Sequence, residues 1–296
     1  MMLLASDTWR DYELIDSGNH RKLERFGDYI LSRPEPQALW QPGKPPGEWD
    51  NLCHASFSNT GGDENGISDK GKWSIIKPIS ENWAIKYKHN SVDLSFRLSL
   101  GSFKHVGVFP EQSVNWHYIY EHVKNISPEN CRVLNLFAYT GGASLAALAA
   151  GAEVYHVDSV KQVVSWAGEN MRLSGLSGIH WVLEDAFTFV QREVKRGKKY
   201  QGIILDPPAY GRGPNGEKWT ISSGLLPLLQ LCKQLLDRKN GFLVLNTYSL
   251  GFSSLISDNI IKDLFTSANS ESGEIYVSDK AGHKLPLGAF TRCCFK

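Results

Sequence analysis

The sequence predicts an α/β protein in which a small β-rich N-terminal domain precedes a doubly wound, Rossmann-like sheet with an antiparallel C-terminal hairpin. From residue 132 onward, short apolar runs alternate with helical segments, the pattern of a parallel sheet covered by helices. The stretch RVLNLFAYTGGASLAALA at 132–149 has the order strand, glycine turn and helix, which offers free backbone N–H groups to an anion. Only residues 279–287 separate the last two strands, so we expect these to pair antiparallel at one edge of the sheet.

Composition limits the function classes. The chain has 296 residues, enough for one large or two modest domains, and its 42% hydrophobic and 21% charged residues are typical of a soluble globular protein. The net charge of +1 gives no overall attraction for polyanions. The five cysteines include no Cys-x-x-Cys pair, which argues against a disulfide framework or a metal site. Without a signal peptide or an apolar run of about 18 residues, the sequence favours a cytoplasmic protein with no membrane partner.

The N-terminal domain is expected at 1–106. Turn residues around Ser17 favour a hairpin, and the proline-rich segment 33–49 favours an extended connection rather than a helix. Alternating apolar residues predict strands at 73–77, 83–87 and 92–100, within one antiparallel sheet spanning roughly residues 10–100. A basic and aromatic RNA surface formed by Lys86, Lys88, Arg97 and Trp73 is one interpretation, but solvated strand faces over core tryptophans are favoured.

The second domain is expected at 107–296. A helix at 113–124 precedes the alternating region. The predicted strands are 132–137, 153–157, 179–183, 201–205, 241–246, 273–278 and 289–295, and the helices between them begin near 142, 160, 186, 221 and 254.

Ligands of doubly wound sheets bind at the carboxyl ends of the strands. Three acids stand at such ends: Asp158, suited to ribose hydroxyls, Asp185, suited to an adenine amino group with Phe187 beside the ring, and Asp206. Asp158 and Asp185 are also placed where a carboxylate caps a helix, so capping remains an alternative for each. Together the acids and aromatic residues favour an adenosine-bearing ligand with a positive centre.

Several motifs resemble those of class I S-adenosylmethionine-dependent methyltransferases. They are NLFAYTGGAS, HVDSV, EDAF and LDPPAYGRG, together with the approach segment FKHVGVFPEQ. The resemblance covers about residues 104–296 and is strongest to the ribosomal RNA large-subunit enzymes that act on cytosine C5 or guanine N7. It implies S-adenosylmethionine as the cofactor.

The resemblance also implies roles for individual residues. The turn would hold the methionine half, Asp158 the ribose and Asp185 the adenine, while the approach segment would close over the cofactor. The implied cofactor-binding residues are Phe109, Glu111, Gln112, Phe137, Ala138, Tyr139, Thr140, Gly141, Gly142, Asp158, Ser159, Asp185, Ala186, Phe187 and Asp206. The implied catalytic residues are Asp206, Pro207, Pro208 and Tyr210.

The chain departs from this pattern in two segments. Ser113 and Trp116 stand where the family usually has arginines. Cytosine-C5 members carry Ser-Cys-Ser after the fifth strand, whereas this chain has Thr247-Tyr248-Ser249. Carbon methylation of cytosine requires a thiolate nucleophile, and no cysteine falls at a predicted strand end of the catalytic edge. The departures therefore disfavour cytosine C5 and favour direct SN2 transfer to nitrogen, which requires in-line positioning and removal of water.

Three further features of the sequence have interpretations of their own. Tyr210 could stack on a flipped base beside Asp206. The loop 211–219, with Arg212, Lys218 and Trp219, is either a target-recognition lid or an ordinary exposed loop. The basic run 195–199 lies at a helix C-terminus, where the helix dipole explains it.

The sequence thus predicts an S-adenosylmethionine-dependent methyltransferase acting on a nitrogen of a ribosomal RNA base, an RNA-binding enzyme of rRNA processing. A protein or small-molecule acceptor is the alternative. A nicotinamide-dependent oxidoreductase and a non-catalytic binding module are disfavoured, the former because Gly-x-Gly-x-x-Gly is absent.

Overall fold

The computed structural model describes residues 1–45, 47–59, 70–126, 131–213, 216–248 and 252–295. The chain forms two compact units. The N-terminal unit comprises Ala5–Glu111 and Tyr276–Pro286, and the C-terminal unit comprises Met1–Leu4, Gln112–Ile275 and Leu287–Lys296. Both units are therefore discontinuous in sequence.

The N-terminal unit contains a five-stranded sheet in the order β2-β3-β4-β5-β6 and a two-stranded sheet β7-β8. Its strands are β2 (Tyr12–Gly18), β3 (Arg21–Phe26), β4 (Tyr29–Pro34), β5 (Ala55–Asn59), β6 (Gly71–Ile75), β7 (Asn82–His89) and β8 (Val92–Ser99), with the helix α1 at Glu48–Leu52. The predicted hairpin is present: Asn19 and His20 join β2 to β3 with φ of 48° and 61°, the backbone of a tight hairpin turn.

Two predictions about this unit were wrong. The strands do not form one antiparallel sheet, because β7 and β8 pair only with each other and β4 pairs with β5 in parallel. The parallel pair is possible because the connection from Pro34 to Ala55 is long enough to bring the chain back in the same direction. The segment 33–49 is also not wholly extended, since α1 begins inside it after Gly47, whose φ is 79°.

The face of this unit proposed as an RNA surface has local explanations. Lys88 pairs with Asp93 at 3.1 Å, and the guanidinium of Arg97 donates to Asn82. The indole of Trp73 packs edge-on against Phe57, with 5.2 Å between the ring centroids. These contacts agree with the favoured interpretation, in which the charges lie on solvated strand faces.

The C-terminal unit is built on an eight-stranded sheet in the order β1-β16-β17-β15-β12-β9-β10-β11. Its strands are β1 (Met2–Ala5), β9 (Arg132–Leu136), β10 (Glu153–Asp158), β11 (His180–Leu183), β12 (Gly202–Leu205), β15 (Phe242–Thr247), β16 (Asn269–Ser278) and β17 (Lys284–Cys294). The helices are α2 (Ser113–Asn125), α3 (Gly142–Ala149), α4 (Lys161–Leu173), α5 (Ala186–Lys195), α6 (Ile221–Leu235) and α7 (Ser254–Leu264), and a small hairpin β13 (Tyr210–Arg212) and β14 (Lys218–Thr220) precedes α6.

The predicted fold class is confirmed. Strands β9, β10, β11, β12 and β15 run parallel, and β17 pairs antiparallel with β15. Leu134 and Leu136 in β9 and Ile203 and Leu205 in β12 have no exposed surface, as expected for strands covered by helices on both faces. From β9 the chain proceeds to β10 and β11 on one side and then to β12 on the other. The topological switch point therefore lies between β9 and β12.

One detail of the predicted sheet was wrong. The hairpin of β16 and β17 does not form the edge, because β1 from the start of the chain lies outside β16. Both hairpin strands also begin earlier than predicted, β16 at Asn269 and β17 at Lys284. Pro286 therefore lies within β17 rather than before it. Among the described residues, no helix combines the length and apolar character needed to span a membrane.

Candidate active site

The turn after β9 carries an unusual backbone. Phe137, Tyr139 and Gly141 all have positive φ, of 55°, 50° and 94°, and the first two are not glycine. Such conformations persist only where surrounding bonds hold them. Here the N–H of Ala138 donates to Val157 O at 3.1 Å, and the N–H of Tyr139 donates to Asp158 Oδ2 at 2.9 Å. The end of β10 therefore fixes the shape of the turn.

The turn leads into α3 without a side-chain cap. Gly141 is the N-cap residue, and no side chain hydrogen-bonds the first turn of the helix. The N–H groups at a helix start have no acceptors within the helix, so they can receive an anionic group. A Cβ on Gly142 would lie 2.6 Å from Cζ2 of Trp116, so glycine lets α2 pack against this helix start. Trp116 thus supports the turn.

A buried polar network lies beneath the turn, and sequence reasoning missed it. Asn135 donates to Ser144 Oγ at 2.9 Å, and Ser144 Oγ lies 3.0 Å from His156 Nδ1. The serine hydroxyl thus joins Asn135 and His156 in one network. Burial lowers the pKa of His156 to about 3, so the ring is neutral. Asn170, also buried, donates to Thr140 O at 2.9 Å.

Asp158 connects the turn to α4. Its two carboxylate oxygens accept from the backbone N–H groups of Tyr139 and Val160, each at 2.9 Å. Burial raises the pKa of Asp158, while these backbone donors act in the opposite direction. The neighbouring Ser159 donates from Oγ to Arg212 O at 3.5 Å. Asp158 is therefore not the cap of α4, whose N-cap residue is Val160 without a side-chain bond, but it holds the backbone on both sides of the strand end.

Asp185 is the N-cap residue of α5. Its carboxylate accepts from the N–H of Thr188 at 2.9 Å, so the capping alternative is seen in the structure. The residue after β11 is hydrogen-bonded to the end of β10, because the N–H of Glu184 donates to Asp158 O at 3.1 Å. Ala186 is buried and Phe187 is half-buried against the core.

Asp206 follows β12 on the other side of the switch point. Its Oδ1 accepts from Asn246 Nδ2 at 2.8 Å, where Asn246 belongs to β15. Burial raises the pKa of Asp206, and the amide donor partly offsets this effect. Asn246 is 3% exposed, and its Oδ1 meets no donor among the described residues. The sequence placed Asn246 at a strand end but assigned it no role.

The segment after Asp206 is fixed by Trp219. The indole N–H of Trp219 donates to Pro208 O at 2.7 Å, and its ring lies 4.9 Å from that of Phe137. Trp219 is only 8% exposed, so the alternative that places it in an ordinary exposed loop was wrong. Pro207 is buried, whereas Tyr210 is 75% exposed. The contacts of Trp219 thus join the turn after β9 to the segment after β12.

At the two ends of the predicted loop, Tyr210–Arg212 and Lys218–Thr220 pair as the two strands of a hairpin. Arg212 in β13 pairs with Lys218 in β14, and both side chains are exposed. The residues 214–215 between them lie outside the described part of the chain.

The approach segment is divided between the units. Phe109 and Glu111 belong to the N-terminal unit and Gln112 to the C-terminal unit. Burial raises the pKa of Glu111 to about 7, although the charges of Lys22 and Arg33 act in the opposite direction. Gln112 accepts from Asn115 Nδ2 at 2.7 Å through Oε1.

Within the described residues, no cysteine lies at the carboxyl end of a parallel strand of the C-terminal unit. Cys131 precedes β9, Cys232 lies within α6, and Cys293 pairs with Leu243 near the start of β15. Burial raises the pKa of Cys232 and of Cys293 to about 12, which disfavours their thiolates. Of the Thr247–Ser249 stretch, Ser249 lies outside the described residues. Within the described ranges, no group of three or more His, Cys, Asp and Glu side chains is placed to bind a metal ion.

A family model for S-adenosylmethionine-dependent methyltransferases matches residues 69–262, more than half of the chain. The chain belongs to this family. A SAM-dependent methyltransferase from Agrobacterium tumefaciens is 38% identical, with a TM-score of 0.90 over 100% of this chain and 94% of that one. A chain from Streptococcus mutans, solved as a candidate SAM-dependent methyltransferase, is 16% identical with a TM-score of 0.71, covers 97% and 76% of the two chains, and shows the fold alone.

Curated relatives of this methyltransferase act, by their names, on ribosomal RNA. The ribosomal RNA large subunit methyltransferase K/L of Shewanella frigidimarina is 30% identical over 174 residues, 56% of this chain and 22% of the relative. The ribosomal RNA large subunit methyltransferase I of Escherichia coli is 30% identical over 148 residues, 49% and 36% of the two proteins. The methyltransferase thus spans about a fifth to a third of the length of these relatives.

These findings confirm several predictions from the sequence. The chain is an S-adenosylmethionine-dependent methyltransferase, and it resembles the ribosomal RNA large-subunit group in sequence. The nicotinamide and non-catalytic alternatives have no support. The uncapped start of α3 and the acids at the ends of β10 and β12 fit a cofactor that carries both a carboxylate and a positive centre.

Proposed function

We propose that this methyltransferase transfers a methyl group to a nitrogen of a ribosomal RNA base. The carrying observation is the hydrogen-bonded pair of Asp206 and buried Asn246, which lie at the ends of the adjacent strands β12 and β15. Within the described residues, no thiol lies at the carboxyl ends of the parallel strands. A carboxylate in this position can accept hydrogen bonds from a base, whereas a carbon nucleophile would need an attacking thiolate.

The cofactor side of the proposal uses the strand ends on the other side of the switch. The N–H groups at the start of α3 would bind the carboxylate of the cofactor's methionine half, Asp158 its ribose hydroxyls, and Asp185 with Phe187 its adenine. When bound, S-adenosylmethionine supplies an electrophilic methyl group on a sulfonium. The rigid turn beneath it, held by Asp158 and supported by Trp116, would fix the direction of that methyl group.

The acceptor side requires positioning more than proton transfer. A ring nitrogen with a free lone pair, such as guanine N7, attacks without a general base. Asp206 would orient the base by accepting from a neighbouring amino or ring N–H, and the exposed ring of Tyr210 would stack on it. Pro207 and Pro208 stiffen the segment, and the bond from Trp219 to Pro208 O holds it in place.

The choice of RNA is supported by the names of the curated relatives, which act on large-subunit ribosomal RNA. In this proposal the β-rich N-terminal region, residues 1–106, recognises the substrate and residues 107–296 bind the cofactor. A protein or small-molecule acceptor is the alternative outcome of the test.

The deciding experiment compares modified nucleosides by mass spectrometry in ribosomal RNA from cells with and without the gene. We expect one methylated base to disappear and to return when purified enzyme and S-adenosylmethionine are added to the RNA. Unchanged nucleosides, with methyl transfer to a protein or metabolite extract instead, would refute the RNA assignment while leaving the cofactor assignment intact.

A substitution of Asp185 separates its two candidate roles. Replacement by Ala removes the cap of α5 and should destabilise the fold by about 1 kcal/mol, whereas Ser, a good cap, should preserve stability. If Asp185 also contacts adenine, both variants lose cofactor affinity. Calorimetric Kd values beside melting temperatures provide the measurement. A Ser variant with unchanged affinity would show that Asp185 is only a cap.

A further inference from the structure

A cleft with a basic lining lies where α5 and α6 end. It has a volume of about 470 Å³, and its charged lining residues are Lys198, Lys199, Lys233 and Arg238, with no acidic residue in the lining. We call these four residues and the space between them the basic cleft. It joins two segments that are far apart in sequence, 193–199 and 233–239. The sequence alone related the first of these only to a helix dipole.

The two segments concentrate positive charge in a nearly neutral protein. Together they contain seven Lys and Arg residues against two acids, whereas the whole chain has 32 against 31. One of the acids, Glu193, is buried and is already occupied by Arg196 and the hydroxyl of Tyr200. The other, Asp237, accepts from Gln201 and from the backbone of Lys239. Neither acid lines the basic cleft.

Helix ends explain only part of this charge. Lys195 and Lys233 lie in the last turns of α5 and α6, where the dipole favours cations. Lys199 donates from Nζ to Gln234 O at 2.6 Å, which satisfies a carbonyl at the end of α6. Lys198 and Arg238 lie beyond both helices and form no ion pair with a described residue. Their charge is therefore available to a partner.

The basic cleft is rigidly built. Tyr200 and Leu236 form a parallel bridge between the two segments. The N–H of Tyr200 donates to Leu235 O at 3.0 Å, and the N–H of Asp237 donates to Tyr200 O at 2.8 Å. The cations consequently converge without having to order a loop, so a polyanion would bind with little loss of conformational entropy.

We propose that the basic cleft binds backbone phosphates of the RNA substrate, at a distance from the base being methylated. This inference rests on the proposed function. The cleft lies before the amino ends of β12 and β15, whereas Asp206 lies after the carboxyl end of β12. The two are therefore at opposite ends of the parallel strands. Four residues of strand span about 13 Å, and with the flanking turns the separation is roughly 20 Å. At about 3.4 Å per phosphate along a stacked strand, contact with both places requires roughly six nucleotides or more.

The test uses the full chain with the substitutions Lys198→Gln, Lys233→Gln and Arg238→Gln combined. The matched control combines Lys124→Gln, Arg172→Gln and Lys262→Gln, exposed cations elsewhere in the C-terminal unit that give the same change in net charge. Fluorescence anisotropy measures binding of a 20-nucleotide and a 4-nucleotide single-stranded RNA of mixed sequence between about 50 and 200 mM salt. Calorimetry measures the Kd for S-adenosylmethionine, and thermal melting verifies folding.

The cleft variant should bind the 20-nucleotide RNA about tenfold more weakly and lower the salt slope by about two, since each lost phosphate contact in a single strand removes about 0.7. Its binding of the 4-nucleotide RNA, which cannot contact both places at once, should weaken less than that of the long RNA, and its binding of the cofactor should match the control. Equal binding of the long RNA by both variants overturns the proposal. Cleft-dependent binding of polyglutamate without RNA binding also overturns it. If the long RNA binds through the cleft but no RNA is methylated, the cleft stands and the proposed function fails.

Discussion

Replacing Asp206 with Asn is expected to lower kcat by about 10²–10⁴-fold, the usual loss when a group that orients or polarises the reacting atoms is removed. The substituted amide has nearly the same shape. Asn246 can also present its free Oδ1 to the new amide after a flip of its own amide group, so the fold should be retained. The Kd for S-adenosylmethionine should change much less than kcat. Single-turnover methylation of ribosomal RNA, together with calorimetric binding, measures both quantities.

The pH dependence of the same residue has a defined sign. Because burial raises the pKa of Asp206, the ionised form required here appears only above the usual carboxyl range. We expect kcat to rise with pH through this raised pKa, and the Asn variant to lack that rise. Replacing Asn246 with Ala removes the donor that lowers the pKa, so the rise should move to higher pH.

Stability should respond in the opposite direction to activity. A carboxyl whose pKa is higher in the folded state favours folding most below its unfolded pKa, and this contribution is lost as pH rises through the folded pKa. The Asn variant should therefore gain melting temperature relative to wild type near pH 7 and lose that advantage near pH 4. Asp237→Asn, an acid before β15, is the matched control. Wild-type turnover by the Asp206 variant would refute its assignment.

The second large effect is expected for Asp158. Replacement with Ala removes the acceptor of the Tyr139 and Val160 N–H groups and frees the strained turn, so affinity for S-adenosylmethionine should fall about 100-fold. Replacement with Asn retains one oxygen that can accept from Tyr139 but loses the charge, and a loss of about tenfold is expected. Calorimetric titration separates the two variants.

The comparison of these variants is informative in either case. If Ala and Asn weaken binding equally, the charge toward the ribose matters more than the support of the turn. An unchanged Kd in both variants would contradict the role of Asp158 altogether.

The sequence predicted the alternating strands and helices well because β9, β12 and β15 are covered on both faces and are therefore mostly apolar. Acids at strand ends were equally visible. The strand β1 was missed because it is short and its side chains are largely exposed, so it has no alternating pattern. Its place in the sheet depends on pairing with a segment near the opposite end of the chain.

The unpredicted parts of the site are contacts between distant segments. The packing of Trp116 on Gly142 depends on α2 lying against α3, which the sequence does not show. Asn246 acquires its role from Asp206, 40 positions away, across two adjacent strands. Trp219 was misassigned because a glycine-rich neighbourhood suggests an exposed loop, whereas its indole finds an acceptor at Pro208 O and an aromatic partner in Phe137.

The tip of the β16–β17 hairpin has a consequence for how this protein can be divided. Residues 276–286 belong to the N-terminal unit, where Asp279 accepts from Ser17 Oγ at 2.6 Å and Pro286 O accepts from Gln37 at 3.1 Å. A gene fragment encoding only residues 5–111 would lack these partners and would expose Ser17, which is fully buried in the intact chain. The N-terminal unit thus needs residues from near both ends of the polypeptide, and no single contiguous fragment of about its length contains all of it.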